Sequence, residues 1–166
     1  MDWTVAYIGI GSNLGERREH LDAAVDALGG MPETELGEVA TVIETDPVGP
    51  VAQGAFLNTV ASVRTGLTPV ALLEQLHRIE RERGRDRASE ARWGPRTLDL
   101  DILLFGDRVV REPGLVVPHK RLHERGFVLI PLDEIAPELV VPGTGRTVRQ
   151  LLDALLGADT GLRGPA

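Results

Sequence analysis

The stretch TLDLDILLF, residues 97–105, decides the fold, because it reads as a strand that arrives after a second helix and completes a β-α-β-β-α-β order. Its alternation sends Leu98, Leu100 and Ile102 to one face and Asp99 and Asp101 to the other. The helix before it opens at Thr68 and Pro69, an N-cap followed by a first-turn proline. Leu72, Leu73, Leu76 and Ile79 then form an apolar stripe ending near Gly84. Two strand-like runs precede that helix, at 36–45 and 55–65, joined by DPVGPVAQG, which is too long for a tight hairpin. The chain begins with a strand at 4–10 that leaves through Gly9, Gly11 and Gly15 into a helix at 16–28, where Leu21, Ala24, Val25 and Leu28 share a side. This order specifies an α+β fold, a ferredoxin-like βαββαβ core with two helices covering one face of the sheet. From Asp107 onward the chain adds short strands, a loop through Pro118 and His119, and a last helix with Val148, Leu151, Leu152 and Leu155 in a stripe. A single domain over 1–157 and a flexible tail at 158–166 are expected.

A chain of 166 residues, 42% hydrophobic, is long enough for one buried core and too short to divide comfortably. Aromatics make up only 4%, so Leu, Val, Ile and Ala must build that core, and Phe56, Trp93 and Phe127 in polar segments ask for another role. The formal charge of −7 argues against a nucleic-acid partner, which needs surplus Lys and Arg to displace counterions. The absence of Cys excludes disulfides, a thiol nucleophile and thiolate metal sites, leaving oxygen and imidazole donors, of which oxygen donors favour magnesium, calcium or manganese. No signal segment or membrane-length apolar run is visible, so a cytoplasmic, soluble protein without a membrane partner is expected, and it is taken as a monomer.

Asp99 and Asp101 lie roughly 6.6 Å apart along the strand, on one face. An isolated D-x-D of this kind is usually a half-exposed strand face. Here Asp is a poor strand former, and two like charges repel unless a cation lies between them, an arrangement that suits magnesium held by carboxylates and substrate phosphates. Matching positive charge comes from the arginines of residues 78–96. Arg81 and Arg83 read as the solvated face of the helix. Arg85, Arg87, Arg92 and Arg96 lie beyond Gly84, where planar guanidinium forks on a loop would close over a polyphosphate. In VPHKRLHERGF, residues 117–127, His119 follows a proline and is placed to donate to a phosphate, whereas His20 and His77 fall in helices and read as structural or solvated. Phe56 and Asn58 point the same way along their strand and could bind a flat heterocycle, although alone the pair reads as ordinary core packing. GIGSNLG lacks the Lys-Ser/Thr of a Walker loop, and Leu14 stands where a dinucleotide fingerprint has its third glycine, so it reads as a tight strand-to-helix turn.

Taken together, GSNLG at 11–15, RWGPRTLDLDILLFG at 92–106 and VPHKRLHERGFVLIPLDEIAPEL at 117–139 closely resemble the 6-hydroxymethyl-7,8-dihydropterin pyrophosphokinases of folate biosynthesis. The resemblance implies transfer of the β,γ-diphosphate of ATP to the pterin's hydroxymethyl oxygen with release of AMP. It also implies two magnesium ions, with Asp99 and Asp101 as their ligands. The family's catalytic arginines fall on Arg85, Arg87, Arg92 and Arg96, and its ATP contacts on Glu80, Arg87, Arg92, Ile102, His119 and Arg125. Its pterin pocket falls on Thr45, Pro47, Val48, Phe56, Asn58, Trp93 and Phe127. Phe56 stands where a tyrosine is common, which keeps the stacking surface and drops a hydroxyl. Two rival readings use the same residues. One is a magnesium-dependent kinase that moves only the γ-phosphate; the other is a non-catalytic ligand-sensing domain on the same scaffold.

Overall fold

A five-stranded antiparallel sheet organises the chain, and the computed structural model describes residues 2–46, 53–85 and 97–158. Strand β1 (Thr4–Ser12) runs through the centre, followed by helix α1 (Arg17–Gly29). Strands β2 (Thr34–Val39) and β3 (Ile43–Thr45) both pair with the outer edge of β4 (Phe56–Thr65), β2 near one end and β3 near the other. Helix α2 (Pro69–Glu82) then leads to β5 (Asp99–Phe105), which pairs with the free side of β1. The order β2-β4-β1-β5 is the ferredoxin-like arrangement that the sequence predicts.

The sequence places two strands as one. The run at 36–45 is interrupted at 40–42, between Val39 opposite Ala61 and Ile43 opposite Asn58, and within β2 the pairing with β4 also slips between Leu36 and Val39. Gly37 packs on Ser62 at that point, and Ser62 Oγ accepts the Glu38 N–H at 2.9 Å, so a side chain replaces a ladder bond. At the other border, β1 continues to Ser12, and Gly9 and Gly11 are strand residues rather than a turn; of the three glycines only Gly15 has a positive φ, 73°.

Helices α1 and α2 bury Leu21, Ala24 and Leu28, and Leu72, Leu76 and Ile79, against Ala6, Ile8, Ile10, Leu98, Leu100 and Ile102 of the sheet. The capping expected for α2 is present, with Thr68 Oγ1 accepting from Ala71 N at 3.1 Å and Gly84 leaving the helix at φ 85°. The opposite face of the sheet is also covered. Helix α3 (Gly126–Ile135) and helix α4 (Val148–Ala158) build a second core in which Val128, Leu129, Leu132, Val148, Leu151 and Leu152 meet Val60, Leu103 and Leu104.

The two-helix cover of one face is as expected, and the second core goes beyond the short strands, loop and last helix expected after Asp107. Its cause is α3, a helix hidden in the sequence by Pro131, which denies an N–H to the Phe127 carbonyl and normally ends a helix. Packing overrides that cost here, since Val128, Leu129, Pro131 and Leu132 fall on one buried stripe. A bulge in β5 serves both cores. Ile8 faces Ile102 and Tyr7 faces Leu104, so Leu103 is unpaired and the alternation reverses, sending Leu103 and Leu104 to the second core and Phe105 back to the first. Two small hairpins, β6 (Val110–Glu112) with β7 (Leu115–Val117) and β8 (Val140–Val141) with β9 (Arg146–Thr147), complete the additions. Among the described residues no helix is long and apolar enough to cross a membrane. The tail expected at 158–166 begins at the last residue of α4, and 159–166 lie outside the described residues.

Candidate active site

Helices α3 and α4 cover only part of their face of the sheet, and the part left open is a cleft of about 270 Å³. Strand register writes its floor. Asn58 on β4, Gly11 on β1 and Asp99 on β5 form one cross-strand row, and Val60, Gly9 and Asp101 form a parallel row two residues on. A central glycine keeps the first row flat, since a Cβ on Gly11 would come within 2.8 Å of Asn58 Oδ1. One wall carries Thr45, Asp46 and Phe56; the other carries Arg121, Arg125 and Phe127.

The two carboxylates sit as their alternation predicts, half-buried on the cleft side while Leu98, Leu100 and Ile102 face the first core. Ile102 pairs with Ile8 and is 4% exposed, so its side chain lies on the far side of the sheet from the cleft where a nucleotide contact was expected of it. Asp99 is braced from behind. Arg85 NH1 is 2.8 Å from Asp99 Oδ1, 2.7 Å from Glu80 Oε2 and 3.1 Å from the Leu98 carbonyl, and Glu80 Oε2 also accepts the Leu100 N–H at 2.8 Å. The Arg85 and Glu80 side chains are 3% and 1% exposed. Arg85 is therefore a buried strut to β5 rather than part of an open arginine loop, and Glu80 stands beneath the floor instead of lining the cleft. A charge pair so enclosed holds its geometry because each partner would be costly to leave alone.

On the pterin side of the expectation, Asn58 is 7% exposed and donates from Nδ2 to Thr45 Oγ1 at 2.6 Å, which fixes the orientation of its amide. The Arg125 guanidinium lies 5.4 Å from the centroid of the Phe127 ring, a cation–π contact at the mouth of α3. His119 is half-buried beside these groups, its N–H on the Leu103 carbonyl at 3.0 Å. Burial, then the Arg125 guanidinium, hold its pKa down to about 4, so it is neutral at physiological pH. Its Nδ1 accepts the Arg121 N–H at 3.2 Å, which leaves the ring proton on Nε2. His20 accepts from Arg83 Nε at 3.1 Å and His123 is exposed beside Glu124, and neither histidine lines the cleft. Pro47, Val48, Arg87, Arg92, Trp93 and Arg96 lie outside the described residues.

Against this geometry, the family model for 7,8-dihydro-6-hydroxymethylpterin-pyrophosphokinase matches residues 7–137. The chain belongs to the 7,8-dihydro-6-hydroxymethylpterin-pyrophosphokinase family. It is 49% identical over 148 residues to the 2-amino-4-hydroxy-6-hydroxymethyldihydropteridine pyrophosphokinase of Pseudomonas aeruginosa, covering 89% of this chain and 90% of that one. The Haemophilus influenzae protein of the same name is 45% identical over 139 residues, covering 84% and 86%. Among solved structures, wild-type Plasmodium falciparum HPPK-DHPS superposes with a TM-score of 0.72 at 14% identity, over 98% of this chain and 46% of that much longer one. That last likeness carries the fold alone.

Within the pyrophosphokinase family frame, the structure brings Thr45, Phe56, Asn58, Asp99, Asp101, Arg125 and Phe127 to one cleft. The sequence did not mark the glycine rows. Gly9 and Gly11 read as turn punctuation in isolation, and only their register against Asp101, Asp99 and Asn58 makes them a floor. Spacing of alternate glycines inside a strand was the available signal, since glycine in a strand interior marks a close approach of something else.

Proposed function

We propose that this chain transfers the β,γ-diphosphate of ATP to the hydroxymethyl oxygen of 6-hydroxymethyl-7,8-dihydropterin, releasing AMP, as a step of folate biosynthesis. The observation that carries this reading is 49% identity, over nine-tenths of both chains, to a protein named for that reaction. In the reaction the pterin oxygen bonds to the β-phosphorus, the bond from that phosphorus to the oxygen bridging to the α-phosphorus breaks, AMP departs with the bridging oxygen, and the hydroxyl proton is lost.

Phe56 and Phe127 on opposite walls would sandwich the flat pterin, with Asn58 and Thr45 presenting polar atoms to its edge. Asp99 and Asp101 open onto the same cleft, and among the described residues no cluster of three or more His, Asp or Glu side chains forms a metal site. Two carboxylates completed by substrate phosphate oxygens are a donor set that suits magnesium, so the residues fit the ion that the family implies. Bound there, magnesium, proposed as two ions, supplies Lewis-acid charge to the phosphates. The protein's part is positioning: Arg85 fixes Asp99, neutral His119 offers Nε2–H to a phosphate oxygen, and Arg125 adds positive charge at the rim. Arg87, Arg92 and Arg96 are proposed to close over the triphosphate, with Trp93, Pro47 and Val48 on the pterin side. The active unit is proposed to be a cytoplasmic monomer of one domain over 1–157.

Incubation with ATP, magnesium and the reduced hydroxymethyl pterin, followed by nucleotide separation, tests the reading. AMP with pterin diphosphate supports it. ADP with a pterin monophosphate would establish a γ-kinase instead, and ligand binding with no nucleotide turnover would establish a sensing domain.

A further inference from the structure

The GSNLG turn and the first residue of α1 reach the cleft indirectly. Arg17 NH1 donates to Glu44 Oε2 at 2.9 Å and to the Ala55 carbonyl at 2.9 Å. These acceptors stand on the two roots of the connection between β3 and β4: Glu44 immediately precedes Thr45, and Ala55 immediately precedes Phe56. Thr45 and Phe56 are register partners, the last pair before the connection departs, and both line the cleft. One nitrogen on a different element therefore ties both sides of that terminal pair. Asn13, from the same turn, adds bonds to the C-terminal root, Nδ2 to Gln53 Oε1 at 2.5 Å and to the Gly54 carbonyl at 3.2 Å.

We propose that Arg17 is a positioning residue that sets the spacing of Thr45 and Phe56 and so the fit of the pterin between Phe56 and Phe127. The assignment rests on the cleft being the pterin site. Stability is not the main role: the Arg17 and Glu44 side chains are 32% and 58% exposed, and ion pairs that exposed contribute little to folding. Geometry is the stronger argument. β3 has only three residues, its pairing ends at Thr45, and a three-residue edge strand frays unless something holds its end. A lysine ammonium has three donors and could serve both acceptors, whereas alanine serves neither.

The test compares wild type, Arg17→Lys and Arg17→Ala by steady-state kinetics in each substrate, by thermal melting, and by amide hydrogen exchange of the ligand-free chain. Arg17→Ala is expected to raise KM for the pterin roughly three- to tenfold, the effect of one lost hydrogen bond, with KM for ATP and the melting temperature nearly unchanged. Arg17→Lys is expected to recover most of that loss. Amide exchange at 43–45 and 56–58 should accelerate in Arg17→Ala and stay local. An unchanged pterin KM, or a parallel rise in both KM values with a lower melting temperature, overturns the proposal. Wild type that forms no AMP sinks the functional reading instead, and in that case the exchange data still decide: no acceleration at the two roots refutes the clamp.

Discussion

Glu80 illustrates how a single buried carboxylate can serve a site it never touches. It accepts from both Arg85 and the Leu100 N–H, and so fixes the guanidinium that braces Asp99. Glu80→Ala would take one carboxylate partner from a buried cation and remove the acceptor of the Leu100 N–H. Urea unfolding should show a loss of about 3 kcal/mol, with a smaller loss for Glu80→Gln, which keeps an acceptor for Leu100. A loss of under about 1 kcal/mol for the alanine variant would mean that the pair is not structurally important. Asp101 separates chemistry from binding: Asp101→Ala should lower AMP formation by more than about a hundredfold while pterin binding, measured by fluorescence titration, stays close to wild type. Full turnover would remove it from the metal site. His119 sets a pH dependence. Its folded pKa of about 4 lies below the ordinary 6.5, so protons bind the unfolded chain more readily than the folded one over that interval. The stability this histidine contributes is present above pH 6.5 and is lost as the pH falls toward 4. In the ligand-free protein, His119→Asn should flatten the decline in melting temperature between those limits; an unaltered decline would assign it to other groups.

At the scale of elements, the cleft is a property of strand register. Gly11 lies between Asn58 and Asp99, and a methyl group there would press on Asn58 Oδ1. Asn58 would then have to give up its bond to Thr45 or shift along β4. Gly11→Ala should therefore weaken pterin binding by roughly tenfold, consistent with the loss of about one oriented hydrogen bond, with β1 otherwise intact by circular dichroism. Unchanged binding would show that the floor tolerates a side chain. The same row explains what could be read from sequence. Alternation in 97–105 placed Asp99 and Asp101 on one face, and the cap and stripe of α2 placed that helix, because periodicity and capping are local. The bulge within β2 depends on Ser62 reaching across to Glu38, and the burial of Arg85 depends on Glu80 five residues earlier meeting Asp99 fourteen residues later. Neither is visible without the pairing. Helix α3 escaped because Pro131 is a local signal against a helix and the opposing signal, a second core, is tertiary.

For the whole molecule, the consequence of two cores on one sheet is that the cleft wall and the distant C-terminal helix are mechanically joined. Phe127 stands at the start of α3, and α3 is held by Leu129 and Leu132 packed with Leu151 and Leu152 of α4 and with Leu103 and Leu104 of the sheet. Glu134, near the other end of α3, accepts the N–H and the hydroxyl of Thr41 at 2.9 and 2.8 Å, which links the helix to the chain just before β3. The cleft walls are thus supported from opposite sides, by α1 through Arg17 and by α4 through α3. Leu152→Ala removes a buried side chain that α4 contributes to the second core, and a cost of about 2–4 kcal/mol is expected from lost burial and cavity formation. If the second core is part of the same cooperative unit as the first, far-UV circular dichroism and tryptophan fluorescence should lose structure together at one lowered midpoint. Pterin affinity of the folded variant should fall as α3 loosens, while Asp99 and Asp101, fixed to the central sheet, keep their places. Separate midpoints for the two probes would instead show that α3 and α4 melt as a unit of their own, and that the sheet with α1 and α2 can hold its fold without them.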